Sequence, residues 1–241
     1  MSRMETGFRP VAARDVRDLC DLYQVDDSQR QYLMKLSREG RRQGWWQSYD
    51  VPYATYIGLE ADAIAIDMFP AAMMPGLLQN ADYARAILKN SGTDQDHEAI
   101  EQGVAVRLTR QRLLIQDNPP QFRVIMDEAA LRRIVGGPLV MKAQLNQIIE
   151  KSSLPNVNVR IIPCDVGAYP ALDSSFTILE LPMPMPGVVY VEGLFGNVSL
   201  ERPQDVERYR RIFQDMQLIA ATEEKSIALI AEVIRDLNSS T

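Results

Sequence analysis

The sequence predicts an α+β fold, with a helix-rich domain on a small mixed or antiparallel sheet and a helical segment in front of it. Segments with helical spacing come first, strand-like and helical segments mix in the middle, and helical segments close the chain. This order lacks the regular alternation of strand and helix in a doubly wound fold. With 241 residues, 46% hydrophobic and 24% charged, the chain can bury a sizeable core.

The front of the chain is predicted to form two helices and a connector. Apolar residues at helical spacing predict a helix over Val11–Val25 and a second one over Gln29–Gln43. A linker follows at Asp50-Val51-Pro52, because proline disfavours helix at the residue before it. We therefore expect a helical unit over residues 1–46 and a second domain over residues 53–238.

The second domain is expected to open with a helix and an irregular apolar corner. Tyr53–Met68 carries apolar residues at helical spacing. The next segment, Phe69–Gln79, contains Pro70, Pro75 and Gly76, so it cannot continue as one regular helix.

Capping residues and apolar periodicity predict the later elements. Further helices are expected from Asn80 or Asp82 to Leu88, from Asp94 or Asp96 to about Ile115, and over Asp127–Val135, Leu139–Lys151, Pro203–Ala221 and Glu223–Leu237. Strands are expected at Phe122–Met126, Val157–Ile162, Ser175–Leu181, Val188–Val191 and, more weakly, Phe195–Leu200.

The charge balance disfavours a standalone nucleic-acid binder. The formal net charge is −6, and it is unevenly distributed. Residues 1–44 hold nine Lys or Arg against seven Asp or Glu, whereas the remainder holds 17 against 25. A protein that binds nucleic acid by itself usually has a basic surplus, because phosphate neutralisation supplies much of the affinity.

Cysteine usage and hydropathy suggest a cytoplasmic chain. Cys20 and Cys164 are far apart and lie in apolar contexts, which favours two reduced thiols in a core. No run of about 18 apolar residues is present, so we expect no membrane span. The first residues also lack the basic and then apolar pattern of a signal peptide.

Neither a metal site nor a bound cofactor is expected. His97 is the only histidine, and it lies among acidic residues at a predicted exposed helix start. One histidine and two distant cysteines do not form a recognisable ligand pattern. No serine occupies a nucleophile-elbow pattern either.

The corner Pro75-Gly76-Leu77-Leu78-Gln79 is one candidate binding site. Two leucines follow a forced turn, and this is consistent either with a helix–helix corner that plugs the core or with the lip of a ligand pocket. Arg107, Arg110 and Gln111 share a helix face, where they can form internal ion pairs, with Glu60 or Asp127-Glu128 as partners, or capture an anionic group. The predicted ligand-binding residues are Leu77, Gln79, Tyr83, Arg107, Arg110 and Gln111.

An enzyme is the alternative hypothesis. Tyr190 and Glu192 alternate at a strand end and share a face, where they can line a polar pocket or pair with an arginine. Acid/base chemistry without a metal is possible with carboxylates and tyrosine alone. The candidate catalytic residues are Glu60, Asp127, Glu128, Tyr190 and Glu192.

The front of the chain resembles the second half of a helix-turn-helix module of the xenobiotic-response-element (XRE) type. The matching residues are Ser2-Arg3-Met4-Glu5-Thr6-Gly7, followed by Asp15-Val16, Leu19 and Tyr23-Gln24-Val25. The resemblance implies that Ser2, Arg3 and Glu5 are the remnant of a DNA-reading helix. The preceding helices of that module are absent, so we expect DNA binding only if a complete helix-turn-helix is supplied upstream.

The rest of the chain resembles the C-terminal domain of unknown function found in many bacterial regulators of that type. The resemblance spans about residues 53–235 and depends on an ordered set of short motifs. They are Leu59-Glu60-Ala61, Pro75–Gln79, Tyr83-Ala84-Arg85, Arg107–Gln111, Asp127–Leu131, Gly136-Gly137, Gln144-Leu145, Pro155-Asn156-Val157, Pro163, Phe176 and Val189–Glu192.

The resemblance implies a regulatory sensor or interaction domain. Such a domain binds a small molecule or a protein partner and passes that state to a helix-turn-helix. A pure scaffold is a further hypothesis, with a homodimer formed through the N-terminal helices or the last helix. Ile227, Ile230 and Ile234 line one stripe of that helix, which core packing explains equally well.

Overall fold

The structure, a computed structural model, describes residues 11–39, 53–91, 96–193 and 196–239. The chain divides into two compact units, Met1–Ala54 and Thr55–Thr241. The predicted α+β class is confirmed, because the described residues form nine α-helices and one six-stranded mixed sheet. Ser2, Arg3 and Glu5, the predicted DNA-binding remnant, lie outside the described residues.

Two helices, α1 (Ala13–Leu22) and α2 (Asp27–Glu39), form the described part of the first unit and pack against each other. The connection between them ends at Asp26, whose carboxylate accepts hydrogen bonds from the backbone N–H groups of Ser28 and Gln29 at 2.9 and 3.0 Å. Hydrogen bonds from the Ser28 hydroxyl and from these N–H groups lower the pKa of Asp26. A charged acceptor at this position stabilises the first turn of α2.

The second unit contains the sheet, which has the order β3-β2-β1-β4-β5-β6. Neighbouring strands are parallel from β1 to β3 and antiparallel from β1 through β4 and β5 to β6. The sheet is therefore mixed. Its strands are β1 (Ala65–Phe69), β2 (Gln121–Asp127), β3 (Val157–Ile162), β4 (Phe176–Glu180), β5 (Val188–Val191) and β6 (Val198–Leu200).

Most predicted helices are confirmed to within a few residues. The cap residues explain two of the starts, because the side chains of Asn80 and Asp96 accept backbone N–H groups of the first turn at 2.8 Å. The remaining helices are α3 (Ala54–Asp62), α4 (Ala81–Lys89), α5 (His97–Arg110), α6 (Glu128–Arg132), α7 (Pro138–Lys151), α8 (Pro203–Ile219) and α9 (Glu223–Ser239). Short 3₁₀ helices cover Gly76–Leu78, Gln111–Ile115 and Cys164–Val166.

The prediction of one helix over Tyr53–Met68 is wrong. Helix α3 ends at Asp62, and β1 then runs through the centre of the sheet between β2 and β4. Four of the five residues of β1 are buried, so the strand lacks the alternation of a half-exposed strand. A short apolar run of this kind cannot be distinguished from a buried helix by periodicity, and β1 was missed for that reason, although the other two parallel strands, β2 and β3, were predicted.

The two cysteines differ from the prediction in one respect. Both are free thiols, as expected, and Cys20 is buried. Cys164, however, is exposed, because it lies in the 3₁₀ turn that follows the end of β3 rather than in the strand itself. The expectation that both thiols lie in a core is therefore wrong for Cys164.

Helix α8 covers one face of the sheet, which we call the α8 face. Its buried residues Val206, Phe213 and Met216 pack against strand residues of this face to form a hydrophobic cluster. Phe213 and Phe176 meet edge to face with ring centroids 6.4 Å apart. The strand residues of the cluster are Phe69, Ile125, Ile162, Phe176, Ile178 and Val189.

The α8 face also carries a charged strip beside this cluster. Asp67 is two residues from Phe69 in β1 and so lies on the same face, where Arg123 forms a two-bond ion pair with it. Arg210 of α8 pairs in the same way with Glu180, with both bonds at 2.6 Å. Burial raises the pKa of Asp67, although the Arg123 guanidinium opposes this shift.

Helix α9 packs against α7 and β3. Ile230 and Val233 are buried in that packing, and Ile227 and Ile234 are half-buried. Core packing therefore accounts for the isoleucine stripe that the sequence shows. No helix within the described ranges has the length and apolar character that a bilayer crossing requires.

The packing of α8 can be tested by truncating Phe213, which is 2% exposed. We expect Phe213→Ala to reduce the free energy of unfolding by roughly 3–5 kcal/mol, because it removes a buried ring and leaves a cavity. Urea denaturation measures this loss. Leu218→Ala is the matched control on the same helix, where the side chain is 85% exposed, and it should change stability by no more than about 0.5 kcal/mol. Equal losses in the two variants would contradict the assignment of the α8 face.

Candidate functional site

The predicted corner is a tight, buried turn between β1 and α4. Pro75 has a φ of −62° and precedes the 3₁₀ helix Gly76–Leu78, which the Leu78 N–H closes by donating to the Pro75 carbonyl at 2.8 Å. Leu77 and Leu78 are both fully buried. The two leucines therefore fill the interior, as the core-plug interpretation of this corner predicts.

Three buried glutamine side chains hold the corner in place. Gln111 donates through Nε2 to the backbone oxygens of Gly76 and Gln79, at 3.1 and 2.5 Å. Gln79 itself donates to the Met74 carbonyl at 2.7 Å. A turn that makes few backbone hydrogen bonds of its own needs partners of this kind when it is buried.

The third glutamine, Gln144 of α7, contacts the other end of the corner. Its Nε2 donates to the Leu78 carbonyl at 2.8 Å, and its Oε1 accepts the Asn80 N–H at 2.7 Å. Gln147 donates to the same Leu78 carbonyl at 3.1 Å. Helices α5 and α7 are thus tied to one turn by side chains rather than by backbone pairing.

Arg107 and Tyr83 belong to the same network. Arg107 donates through Nη1 to the side-chain oxygen of Gln79 at 3.2 Å and lies 3.4 Å from the Ala84 carbonyl. The Tyr83 hydroxyl accepts the Met74 N–H at 3.2 Å, and burial raises the pKa of this tyrosine. The predicted Arg107 face and the predicted corner are therefore in direct contact.

Arg110 forms a buried ion pair with Glu60, one of the internal partners that the sequence suggested. Two hydrogen bonds of 2.7 Å join the guanidinium to the carboxylate, and the side chains are 9% and 2% exposed. The guanidinium also lies against Gly76, where a β-carbon would come within 3.4 Å of Nη1.

An aromatic pair continues this cluster towards the sheet. The guanidinium of Arg110 lies 5.2 Å from the ring centroid of Tyr56, and that ring lies 4.5 Å from the ring of Tyr190. Burial, and then the Glu60 carboxylate, raise the pKa of Tyr56 well above its ordinary value. Tyr190 follows Val189 in β5, so it lies on the sheet face opposite α8.

The structure therefore brings all six predicted ligand-binding residues into one buried network with Glu60. Gln79, Tyr83, Arg107, Arg110 and Gln111 each bond to other residues of the chain, and Leu77 lies in the core. Their function as a ligand site stays a prediction. Their contribution to the fold follows directly from these contacts.

The structure does not bring the five candidate catalytic residues together as one group. Glu60 and the pair Asp127-Glu128 lie at opposite ends of the parallel strands, whereas the register of β5 places Tyr190 and Glu192 level with the carboxyl end of β1. Glu60 lies just before β1, on the side of Tyr56 and Tyr190, and Glu192 is exposed immediately after β5. Asp127 and Glu128 instead lie at the carboxyl end of β2.

Asp127 and Glu128 make hydrogen bonds that fix the loop after β3. Glu128 accepts the Cys164 N–H at 2.9 Å and pairs with Arg132 at 2.7 Å, and these bonds lower the pKa of Glu128 despite its burial. Asp127 accepts the Tyr169 hydroxyl. Burial and this carboxylate raise the pKa of Tyr169. Partial desolvation, and then the Glu128 carboxylate, raise the pKa of the thiol of Cys164, although this residue is exposed. These shifts move all three groups away from the near-neutral values that acid/base or thiolate chemistry favours.

A surface pocket of about 360 Å³, which we call the α8 pocket, lies on the α8 face between α8, the edge strand β6 and the turn before β4. Its apolar residues pack against the hydrophobic cluster below, and the Tyr209 ring lies edge-on to Phe176 with centroids 5.0 Å apart. The floor of the pocket is therefore held by the core. The lining residues are Ala171, Ser174, Leu200, Asp205, Arg208, Tyr209 and Ile212.

The polar groups of this pocket differ from those of the corner. Within the described ranges, the side-chain polar atoms of Ser174, Asp205, Arg208 and Tyr209 form no hydrogen bond or ion pair with other residues. The pocket thus offers two hydroxyls, a carboxylate and a guanidinium over an apolar floor. Small-molecule sites combine an apolar surface with a few polar groups in the same way, and this pocket is partly open to solvent.

Sequence reasoning missed this pocket entirely. Asp205, Arg208, Tyr209 and Ile212 recur at spacings of three and four along α8, so they share a stripe. A stripe of mixed charged and apolar residues is common at the edge of any surface helix, and the opposite wall comes from an irregular turn at Ala171 and a strand near residue 200. The spacing was the one available signal, and it is not specific.

Comparison with known families identifies the second unit. Residues 53–232, well over half of the chain, match the model of a family described as a domain of unknown function, DUF5753. The matched range contains the corner, the Glu60–Arg110 pair and the α8 pocket. No curated protein matches the chain.

The buried ion pair can be tested by removing its carboxylate. We expect Glu60→Ala to destabilise the protein by roughly 3–5 kcal/mol, because it leaves the Arg110 guanidinium buried without a counter-charge. Chemical denaturation measures the loss, and the double variant Glu60→Leu with Arg110→Met should recover much of it.

The matched control is Glu101→Ala. The Glu101 carboxylate also forms two bonds with one arginine, Arg85, but these side chains are 38% and 29% exposed. An exposed pair contributes little, so this variant should lose much less stability than Glu60→Ala. Equal losses would show that burial does not decide the strength of the Glu60 pair.

The Glu128 bonds predict a pH-dependent contribution to stability. Its pKa is lowered in the folded state, so the contribution is present above the ordinary value of 4.5 and is lost as the pH falls through the folded value. At pH 7 we expect Glu128→Gln to reduce the free energy of unfolding by about 1.5–3 kcal/mol, the usual contribution of a hydrogen bond to a charged group. Denaturation curves between pH 7 and pH 3 should show this difference shrinking below pH 4.5. Glu232→Gln, at an exposed position of α9, should show no comparable cost at pH 7.

Proposed function

The chain belongs to the DUF5753 family, and we propose that the unit formed by Thr55–Thr241 is the sensor domain of a cytoplasmic bacterial transcriptional regulator. In this proposal the domain binds a small molecule and passes its ligand state to a helix-turn-helix of the XRE type. The helices α1 and α2 belong to the connection between the two parts.

The observation that carries the proposal is the α8 pocket. Its volume of about 360 Å³ lies within the range of small-molecule sites, roughly 300–1,000 Å³. The part of its apolar floor that α8 supplies, Tyr209 and Ile212, is packed on the core, so these side chains lose little conformational freedom when a ligand binds. Its four polar side chains have no partner in the described part of the chain, so a ligand can bond to them without breaking internal contacts.

Two further features support the regulatory context. The residues Asp15-Val16, Leu19 and Tyr23-Gln24-Val25, which resemble a regulator of the XRE type, fall on α1 and its end. The basic surplus of the chain is confined to residues 1–44, whereas the remainder is acidic. This distribution suits a chain in which nucleic-acid contacts, where they occur, belong to the front.

The enzyme hypothesis gains no support from the candidate catalytic carboxylates. Glu60 is engaged by Arg110, and Glu128 is engaged by Arg132 and by the Cys164 N–H. A general base works best with a pKa near the operating pH, whereas the pKa of Glu128 is lowered. We therefore propose binding rather than catalysis.

Ligand-induced stabilisation tests the sensor proposal. The full chain is screened by thermal unfolding against a panel of amino acids, nucleosides, organic acids and sugars. A ligand at 100 times its Kd adds about 2.7 kcal/mol to stability, which corresponds to a rise in Tm of roughly 5–10 °C for a chain of this size. We expect at least one compound to produce such a rise.

A pocket-filling variant and its control locate the binding site. Ser174→Trp places a large ring in the pocket wall and should abolish the rise in Tm, whereas Ser153→Trp, at an exposed position outside the pocket, should retain it. Both variants should unfold near the wild-type temperature without ligand. Absence of any rise across the panel, or a rise that survives Ser174→Trp, would overturn the proposal.

The proposal also predicts weak association of this chain with DNA. A net charge of −6 gives little counterion release, so we expect fluorescence anisotropy with duplex DNA to show only weak binding. Supplying a complete helix-turn-helix upstream should produce tight binding whose affinity falls steeply with salt. Tight, salt-sensitive binding of a defined duplex by residues 1–241 alone would contradict this part of the proposal.

A further inference from the structure

We propose that the α8 pocket binds a small zwitterion: a molecule with a carboxylate, an ammonium group close to it and an apolar body, as in a free amino acid with a large side chain. The inference rests on the proposed sensor function and adds the chemical class of the ligand. It follows from the charges of Asp205 and Arg208, and from the surface between them and the core.

Asp205 and Arg208 carry opposite charges one helical turn apart, yet they do not pair with each other or with any other described residue. Other acid–arginine pairs at this spacing do form bridges in the same structure. Asp82 bonds to Arg85 at 2.7 Å, and Glu207 bonds to Arg210 at 3.6 Å on α8 itself. The two charges of the pocket are therefore available to a ligand.

Each of these side chains selects one end of a zwitterion. A guanidinium binds a carboxylate through two parallel hydrogen bonds, so Arg208 is suited to the acid group. The Asp205 carboxylate accepts hydrogen bonds from an ammonium group. Side chains three residues apart on a helix start about 5–6 Å from each other, so the ligand must hold its two charges within a few ångströms.

The pocket also discriminates against ligands whose charges are all of one sign. A phosphate or a dicarboxylate would bind Arg208, but its excess negative charge would lie beside Asp205. A simple amine would leave Arg208 without an acceptor. A zwitterion satisfies both groups, and a net negative protein does not repel it over long range.

The apolar body of the ligand has an apolar surface to lie on. Leu200, Ile212 and the Tyr209 ring pack against the hydrophobic cluster, and the contact between Tyr209 and Phe176 holds the ring in place. Covering these groups removes apolar surface from water, which favours binding by roughly 25 cal/mol per Å². The hydroxyls of Ser174 and Tyr209 can then bond to a further polar atom of the ligand.

Binding of L-phenylalanine and two blocked forms to the full chain tests the assignment. N-acetyl-L-phenylalanine keeps the carboxylate and lacks the ammonium group, whereas L-phenylalaninamide has the opposite pattern. Titration calorimetry, supported by NMR for weak binding, gives the Kd of each. We expect saturable binding of L-phenylalanine, and at least tenfold weaker binding of both blocked forms.

Two variants test which side chain of the pocket recognises the ammonium group and which recognises the carboxylate. Asp205→Asn should weaken the binding of L-phenylalanine at least tenfold. It should leave the Kd of N-acetyl-L-phenylalanine unchanged, because that ligand has no ammonium group. Arg208→Gln should weaken the binding of L-phenylalanine to a similar extent. It should leave the Kd of L-phenylalaninamide unchanged, because that ligand has no carboxylate. Such selective losses are a signature of direct pairing that a general disturbance of α8 would not produce.

Matched controls come from the same helix and lie outside the pocket. Asp215→Asn and Arg211→Gln remove the same charges at exposed positions and should leave all three Kd values unchanged. Because all four positions are partly or fully exposed, the variants should fold as the wild type does, and circular dichroism checks this.

The outcomes separate this inference from the proposed function. No saturable binding of L-phenylalanine, or binding that neither pocket variant weakens, would overturn the zwitterion class. If the thermal panel then finds a nucleoside, sugar or organic acid whose effect is lost in Ser174→Trp, the sensor function stands with a different ligand class. If the panel finds no ligand at all, both proposals fail.

Discussion

The fold depends on how the turn between β1 and α4 satisfies its backbone polar groups inside the protein. The 3₁₀ helix Gly76–Leu78 is too short to pair them itself, and its two leucines are fully buried. Side-chain amides from other helices supply the missing partners, since Gln111 follows α5 and Gln144 belongs to α7. A buried polar group without a partner costs about 1–3 kcal/mol, so these helices cannot shift independently of the turn. The amides therefore fix the position of the helices as well as the turn.

The need of buried polar groups for hydrogen-bond partners also distinguishes the corner from the α8 pocket. The polar atoms at the corner bond to one another, and the Glu60–Arg110 pair continues to Tyr56 and Tyr190 on the sheet face opposite α8. A ligand there would have to replace internal bonds of the protein. On the α8 face, the polar side chains of the pocket make no bond to another described residue, and they lie over a floor that the core already supports. A ligand there displaces only water, and for this reason the pocket is the better binding site.

The sequence predicted much of the fold because most of its elements have clear local signals. The bounds of β3 and β5 agree with the prediction residue for residue, and the caps at Asn80 and Asp96 begin the expected helices. The central strand β1 was missed because it is buried on both faces and directly follows a true helix. The grouping of the corner with Arg110 and Glu60 was also predictable, since shared helix faces and complementary charges indicate contacts. The α8 pocket was not, because it depends on which charged groups remain without partners, and that is a property of the whole structure.

The position of the pocket at the edge of the sheet also bears on how a ligand could be sensed. Strand β6 is three residues long and, among the strands that the structure describes, it pairs with β5 alone, so few backbone bonds hold it. Its residue Leu200 forms one wall of the pocket, and the other walls belong to α8 and to the turn at Ala171. These three elements come from separate parts of the chain. A ligand that contacts all of them therefore stabilises the state in which they lie together, by an amount set by its free energy of binding. Elements of low local stability are the ones whose population a ligand can change most. A small molecule can therefore alter the domain at this edge strand without disturbing the part of the core that the glutamine amides hold in place.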